Sequence, residues 1–200
     1  KQYFIRFEGV GTYAHVWLNG KSYGRILGGR TTFTLDVSND IKPGQNNVLK
    51  VMAEHPEMIS DMPWVCGGCS SEWGFSEGSQ PLGIFRPVVL EVTDKVRIEP
   101  FGVHIWHNDA ADSIFIDTEI KNYSNQSVEV ELVNKLNNSE GIGVFRLPLK
   151  ISLKPGEMRT VHQSASISNP ILWSIEKPYL YQLATMIKRG DNVTTDEINT

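Results

Sequence analysis

Apolar and polar residues alternate along most of this chain with a period of two, which predicts strands with one buried face. In "YAHVWLNG", Ala14, Val16 and Leu18 share one face while His15 and Trp17 share the other. Asn19-Gly20 then supplies a two-residue hairpin turn, because both central positions of such a turn need positive φ. "TTFTLDV" alternates Phe33, Leu35 and Val37, "KPGQNN" reads as a turn, and "VLKVMAE" reads as the next strand. "IFRPVVLEV" is strand-like as well, with Pro87 placing it at an edge or a bulge. Helical periodicity is confined to a single turn's worth of chain at Ile41–Gly44.

A second series begins at Val96. "VRIEPFGVHIW", "SIFIDTEIKN", "VEVELVNKL", "VFRLPLKISL", "MRTVHQSASI", "YLYQLATMIKR" and "VTTDEINT" are strand-length runs, most of them separated by short polar turns such as "NYSNQS", "KPGE" and "RGDN". Seven short strands at that spacing predict an immunoglobulin-like sandwich. The first series has too few strands to close a sandwich. The expected architecture is therefore all-β. A partial, jelly-roll-like β-sandwich occupies residues 1–95, its first strands lying upstream, and an immunoglobulin-like β-sandwich occupies 96–200. Lys1 enters a strand-like run almost at once and Thr200 ends inside another, so both ends look cut from a longer protein.

Composition narrows the function classes. At 200 residues, 40% hydrophobic and 21% charged, the chain can bury a real core. A net charge of -4 argues against nucleic acid as a partner, since such proteins carry a basic footprint. No apolar run approaches the ~18 residues of a membrane span, so no membrane partner is expected.

The candidate chemistry is sparse. Cys66-Gly-Gly-Cys69 lacks the helix start that lowers a thiol pKa and lacks two further ligands for zinc. It reads as part of a loop, with its thiols free or joined locally. His104 and His107, three apart on a strand, face opposite sides, which works against a shared metal. Asp109 with Asp112, and Glu129 with Glu131, are carboxylate pairs of the kind that solvated faces usually carry. Four Asn-x-Ser/Thr triplets, at Asn122, Asn125, Asn137 and Asn192, read as polar loop residues. Among the aromatics, Trp17 and Trp173 are expected in the core. Trp64, Trp73 and Phe75 lie in a long polar loop, where a ring face can stack on the C–H face of a sugar.

Three phrases carry a resemblance. "RFEGVGTYAHVWLNGKSYGRILGGRTTFTLDVSNDIKPGQNNVLKVMAEH" (Arg6–His55) resembles the N-terminal sugar-binding domain of glycoside hydrolase family 2, which includes β-galactosidases, β-glucuronidases and β-mannosidases. "GIFRPVVLEV" (Gly83–Val92) is similar to the strand that closes that domain. "NPILWSIEKPYLYQL" (Asn169–Leu183) resembles a phrase near the end of the family's immunoglobulin-like second domain, and the three occur in family order. In that last phrase, Leu172, Trp173, Leu180 and Tyr181 are expected to anchor a proline-bracketed turn into the core.

The resemblance implies a parent that hydrolyses terminal β-glycosidic bonds, acting on β-glycosides or oligosaccharides without a cofactor. It also implies an exported parent, periplasmic or secreted. The family's two catalytic glutamates sit on a (β/α)8 barrel that follows the second domain. No catalytic residue is therefore carried over, no metal ligand is expected, and this chain alone is expected to be inactive. The catalytic barrel of the parent chain would be its partner. One position transfers by motif: an acid six residues before the Gly of "GIFR" reaches toward the sugar in some members, and here that residue is Glu77. Glu77, Trp73 and Phe75 are thus the candidate substrate-binding residues. The alternative is a stand-alone carbohydrate-binding or immunoglobulin-like structural module.

Overall fold

A computed structural model describes residues 1–11, 13–28, 31–54, 82–190 and 193–200, and every regular element among them is a strand. The chain divides into two units, Lys1–Val92 and Thr93–Thr200.

Unit 1 contains β1 (Gln2–Phe7), β2 (Val10–Gly11), β3 (Tyr13–Leu18), β4 (Lys21–Leu27), β5 (Phe33–Asp36), β6 (Leu49–Glu54), β7 (Gly83–Ile84) and β8 (Val88–Thr93). They form sheets ordered β5-β1-β8 and β4-β3-β6, with β2 paired to β7. Ile5 and Phe7 of β1 pack against Ala14, Val16 and Leu18 of β3, with Val10 and Val37 completing the core. The alternation along β3 thus decides its orientation: the small and branched side chains go in, at roughly 1.5–3 kcal/mol for each fully buried large one. The hairpin turn between β3 and β4 has Asn19 at φ 51 and Gly20 at φ 88. Asn19 does more than turn the chain. Its Nδ2 donates to Asp40 O and Asn47 Oδ1, both at 2.8 Å, and its Oδ1 accepts from Val48 N at 2.9 Å.

The run "IFRPVVLEV" is divided. Between β7 and β8, Phe85 N donates to Gly9 O at 3.3 Å and Glu8 N donates to Pro87 O at 3.1 Å. Pro87 offers no N–H to a ladder, so the strand resumes only at Val88, at the edge of its sheet. Val88, Leu90 and Val92 share one face of β8 and are all exposed.

Unit 2 contains β9 (Val96–His107), β10 (Ser113–Asn122), β11 (Val128–Asn137), β12 (Gly143–Leu153), β13 (Met158–Ser166), β14 (Gln182–Arg189) and β15 (Val193–Asn199). These are the seven expected runs. They split into a three-stranded sheet, β13-β10-β9, and a four-stranded sheet, β12-β11-β14-β15. Val96, Ile98, Ile120 and Val161 of the first meet Val130, Leu132, Leu153 and Ile187 of the second, giving a sandwich, and Ile116, Leu136, Ile167 and Leu183 form a second apolar cluster in it. Between the sheets lies a polar knot. Asn134 Nδ2 donates to Gln163 Oε1 at 2.8 Å, and its Oδ1 accepts from Thr185 Oγ1 at 2.6 Å.

Asn122 is fully buried. Its Nδ2 donates to Gln126 O at 2.8 Å and Lys154 O at 3.0 Å, and its Oδ1 accepts from Ser124 N at 2.9 Å and Ser124 Oγ at 2.7 Å.

Three expectations are overturned. Trp17 is not in the core of unit 1: it lies half-buried on the face of β3 opposite Val16, its ring centre 3.9 Å from that of His15 and 4.9 Å from Lys50 Nζ. Asn122, read as a polar loop residue, is instead a buried strand end. Leu172, Trp173 and Leu180 do not anchor in the core but are 62%, 58% and 68% exposed. Residues 167–181 form no strand, so no alternation drives their side chains inward. Ser174 N donates to Lys177 O at 3.1 Å and Lys177 N to Ser174 Oγ at 3.0 Å, which closes the turn on itself. Tyr181 alone behaves as expected: it packs on Ile116, Leu136, Ile167 and Leu183 while its hydroxyl accepts from Ile171 N at 3.0 Å.

Candidate functional site

Trp73, Phe75 and Glu77, with Trp64, Cys66 and Cys69, lie outside the described residues, so the structure gives the frame of their loop rather than the loop. The frame is specific. β6 delivers the chain at Glu54, which pairs with Tyr13, and β7 receives it at Gly83, which pairs with Gly11. Two strands adjacent in the chain, β3 and β2, therefore hold the residues on either side of 55–81. Arg25 braces the departure point. Its guanidinium lies 3.9 Å from the centre of the Tyr13 ring, and its Nε is 3.2 Å from Glu54 Oε2. Gly9 braces the return. A Cβ there would stand 2.7 Å from Phe85 Cζ, so only glycine lets the Phe85 ring lie against this backbone.

The carboxylate pairs seen in the sequence do not assemble a hydrolytic centre. Glu131 faces Lys150 on β12 and Lys188 on β14, and Arg146 Nη2 lies 3.6 Å from its Oε2. Asp112 accepts from Asn108 Nδ2 at 2.8 Å and Ser113 Oγ at 3.1 Å, which holds its carboxyl below the usual carboxylate range. It organises the turn before β10. No group of three or more His, Cys, Asp or Glu among the described residues could hold a metal ion.

The register also makes a pairing that sequence spacing did not reveal. Asp117 sits between His104 on β9 and His162 on β13, and His162 Nδ1 is 2.5 Å from Asp117 Oδ1. The signal was present only as matching positions on three strands far apart in the chain.

At one end of unit 2 an apolar hollow opens, lined by Ile105, Ile114, Leu136, Leu172, Trp173 and Tyr181. Ile175 stands beside them in the sequence, almost wholly exposed. Contiguous apolar surface of this kind marks an interaction face more often than idle exterior.

Comparison with known proteins gives one consistent answer. The family described as "Glycosyl hydrolases family 2" matches residues 96–200. A β-glucuronidase of Formosa agariphila is 26% identical over 207 residues, covering 96% of this chain and 20% of that protein. A β-galactosidase of Priestia megaterium is 28% identical over 192 residues, covering 94% of this chain and 17% of that protein. The crystal structure of a Bacteroides uniformis β-glucuronidase superposes with a TM-score of 0.85 at 23% identity, over 100% of this chain and 24% of that one. That likeness bears on the fold alone. The chain thus spans about a fifth of the length of the curated relatives it matches.

Proposed function

Given that the chain belongs to glycosyl hydrolases family 2, we propose that it is a non-catalytic portion of a β-galactosidase-like retaining enzyme. Its parent hydrolyses terminal β-glycosidic bonds, and its two units support a catalytic barrel and the rim of the substrate site. The observation that carries this reading is the coverage. Nearly all of the chain matches, and it matches only about a fifth of each enzyme. A retaining glycosidase needs two carboxyls ~5 Å apart across the scissile bond. The Lys150, Lys188 and Arg146 neighbours of Glu131 suit a solvated surface instead.

The two units have different jobs in this reading. In unit 1, a jelly-roll-like sandwich completed by further strands against Val88, Leu90 and Val92, the braced frame presents residues 55–81 to the sugar. Glu77 accepts hydrogen bonds from a pair of hydroxyls, and Trp73 and Phe75 offer ring faces. In unit 2, an immunoglobulin-like sandwich, the exposed Leu172, Trp173 and Leu180 pack against the barrel. Burying three such side chains supplies several kcal/mol, at roughly 25 cal/mol per Å² of apolar surface.

The test is an assay of this 200-residue chain beside its full-length parent on nitrophenyl β-galactoside and β-glucuronide. The expected result is turnover by the parent only. Turnover by the chain alone would overturn the assignment of catalysis to another domain. Calorimetry with galactose, on the parent and its Glu77→Ala and Trp73→Ala variants, then tests the rim. Unchanged binding in both variants would remove these residues from the site.

A further inference from the structure

We propose that the outer face of the three-stranded sheet in unit 2 is a second carbohydrate-binding site, for a neutral β-linked oligosaccharide. This rests on the reading that the parent acts on glycans. The strand register builds the face. Trp106, Phe115 and Ser164 form one row across β9, β10 and β13, and His104, Asp117 and His162 form the next. The inward neighbours Ile116 and Thr118 are fully buried, which turns Phe115 and Asp117 outward.

Two properties make this face suited to a sugar. First, Trp106 and Phe115 are near-parallel, with ring centres 5.7 Å apart and planes 21° apart. Trp106 is 46% exposed, although large aromatics are normally covered. Phe115 supports one side of the indole and leaves an aromatic shelf on which the C–H face of a pyranose can lie. Second, hydrogen-bonding groups stand at the edge of the shelf. His162 Nδ1 engages Asp117 Oδ1, which leaves Asp117 Oδ2 to accept and His162 Nε2 to donate or accept. The His162 side chain is 72% exposed, and Ser164, on the same strand, is exposed as well. Trp106, Phe115, Asp117, His162 and Ser164 together line one shallow depression. An aromatic platform with a polar edge matches vicinal hydroxyls on an otherwise apolar ring face. The Asp117 carboxylate disfavours a uronate, so the ligand class is neutral.

The test is amide and indole chemical-shift titration of the 200-residue chain with β-1,4-galactotetraose, and with a hyaluronan tetrasaccharide as the acidic counterpart. Saturable shifts are expected at the Trp106 indole N–H and the His162 ring with the neutral probe and not with the acidic one. Trp106→Ala and Asp117→Asn should each weaken binding by about tenfold. Thermal unfolding of both variants checks the fold, and Asp117→Asn carries the test if Trp106→Ala does not fold. Absence of shifts at these residues at about 10 mM tetraose, or equal binding by a folded Trp106→Ala chain, would overturn the proposal. So would tighter binding of the acidic probe. Hydrolysis by the parent is read separately on nitrophenyl β-galactoside, so failure of this proposal and failure of the reading it rests on are told apart.

Discussion

Thr185 Oγ1 donates a 2.6 Å hydrogen bond to Asn134 Oδ1 between two strands of one sheet, and both side chains are fully buried. The amide also donates across the sandwich to Gln163 Oε1 at 2.8 Å. A knot of this kind ties the two sheets in register, because each member has few other places to find a partner.

Asn134→Ala leaves the buried Thr185 hydroxyl without its acceptor, at ~1–3 kcal/mol, and takes the amide donor from the half-buried Gln163. The expected outcome is a fall in Tm of roughly 10 °C or more for a unit of this size. Thr185→Val removes one bond and should cost less. Calorimetric melting of both variants checks the order. A Tm within about 2 °C of wild type for Asn134→Ala would show that the knot contributes no stability.

Asp40 gives the chain an acid limb. Lys21 Nζ at 2.8 Å and then the Tyr23 hydroxyl at 2.5 Å hold its carboxyl below the usual carboxylate range. Because the folded value lies below the unfolded one, this contribution is fully present above the ordinary Asp pKa of ~3.9 and fades as pH falls through the folded value. Melting wild type and Asp40→Asn from neutral pH downward should show a stability gap that closes below about pH 4. A gap that stays constant to lower pH would contradict it. Tyr23, raised by burial and then by the same carboxylate, should remain a phenol above the ordinary tyrosine range in an alkaline ultraviolet titration that compares wild type with Tyr23→Phe.

Gly9→Ala puts a methyl within 2.7 Å of Phe85 Cζ and 2.9 Å of its Cε2. The ring must swing away from the return point of the 55–81 loop, at a cost of ~1–3 kcal/mol. In the double variant Gly9→Ala/Phe85→Ala, most of the added cost of the methyl should vanish. Urea unfolding of the four-member cycle measures the coupling, and additive losses would refute the clash.

Leu172→Ser/Leu180→Ser should barely move the Tm of this chain, because neither side chain is in its core. A large drop in Tm would restore both leucines to a stabilising role.

That last pair shows where sequence reading stops. The seven strands of unit 2 could be read directly because each buries one face, and a period of two records which face. The turn at Asn19-Gly20 was equally plain, since positive φ at two successive positions excludes most residues. Leu172, Trp173 and Leu180 carry the same apolar letters as core residues, and composition does not say whether the covering surface belongs to the same unit. Asp117 and His162 are 45 residues apart, and only the alignment of β10 with β13 makes them neighbours. Glu77 came from a motif position, and Trp73 and Phe75 from being aromatic in a polar stretch; all three lie outside the described residues, and the frame fixes only where the chain leaves at Glu54 and returns at Gly83.

The burial of Asn122 has a consequence for anyone producing this chain in a eukaryotic secretory pathway. It begins an Asn-x-Ser triplet, yet a glycan on its amide would displace the bonds to Gln126 and Lys154. Oligosaccharyltransferase could reach it only before the sandwich closes. Asn125, in the same turn, begins a second triplet and is exposed in the folded state. The ratio of occupancy at the two asparagines would then serve as a clock, recording how quickly unit 2 closes against the speed of the glycosylation machinery.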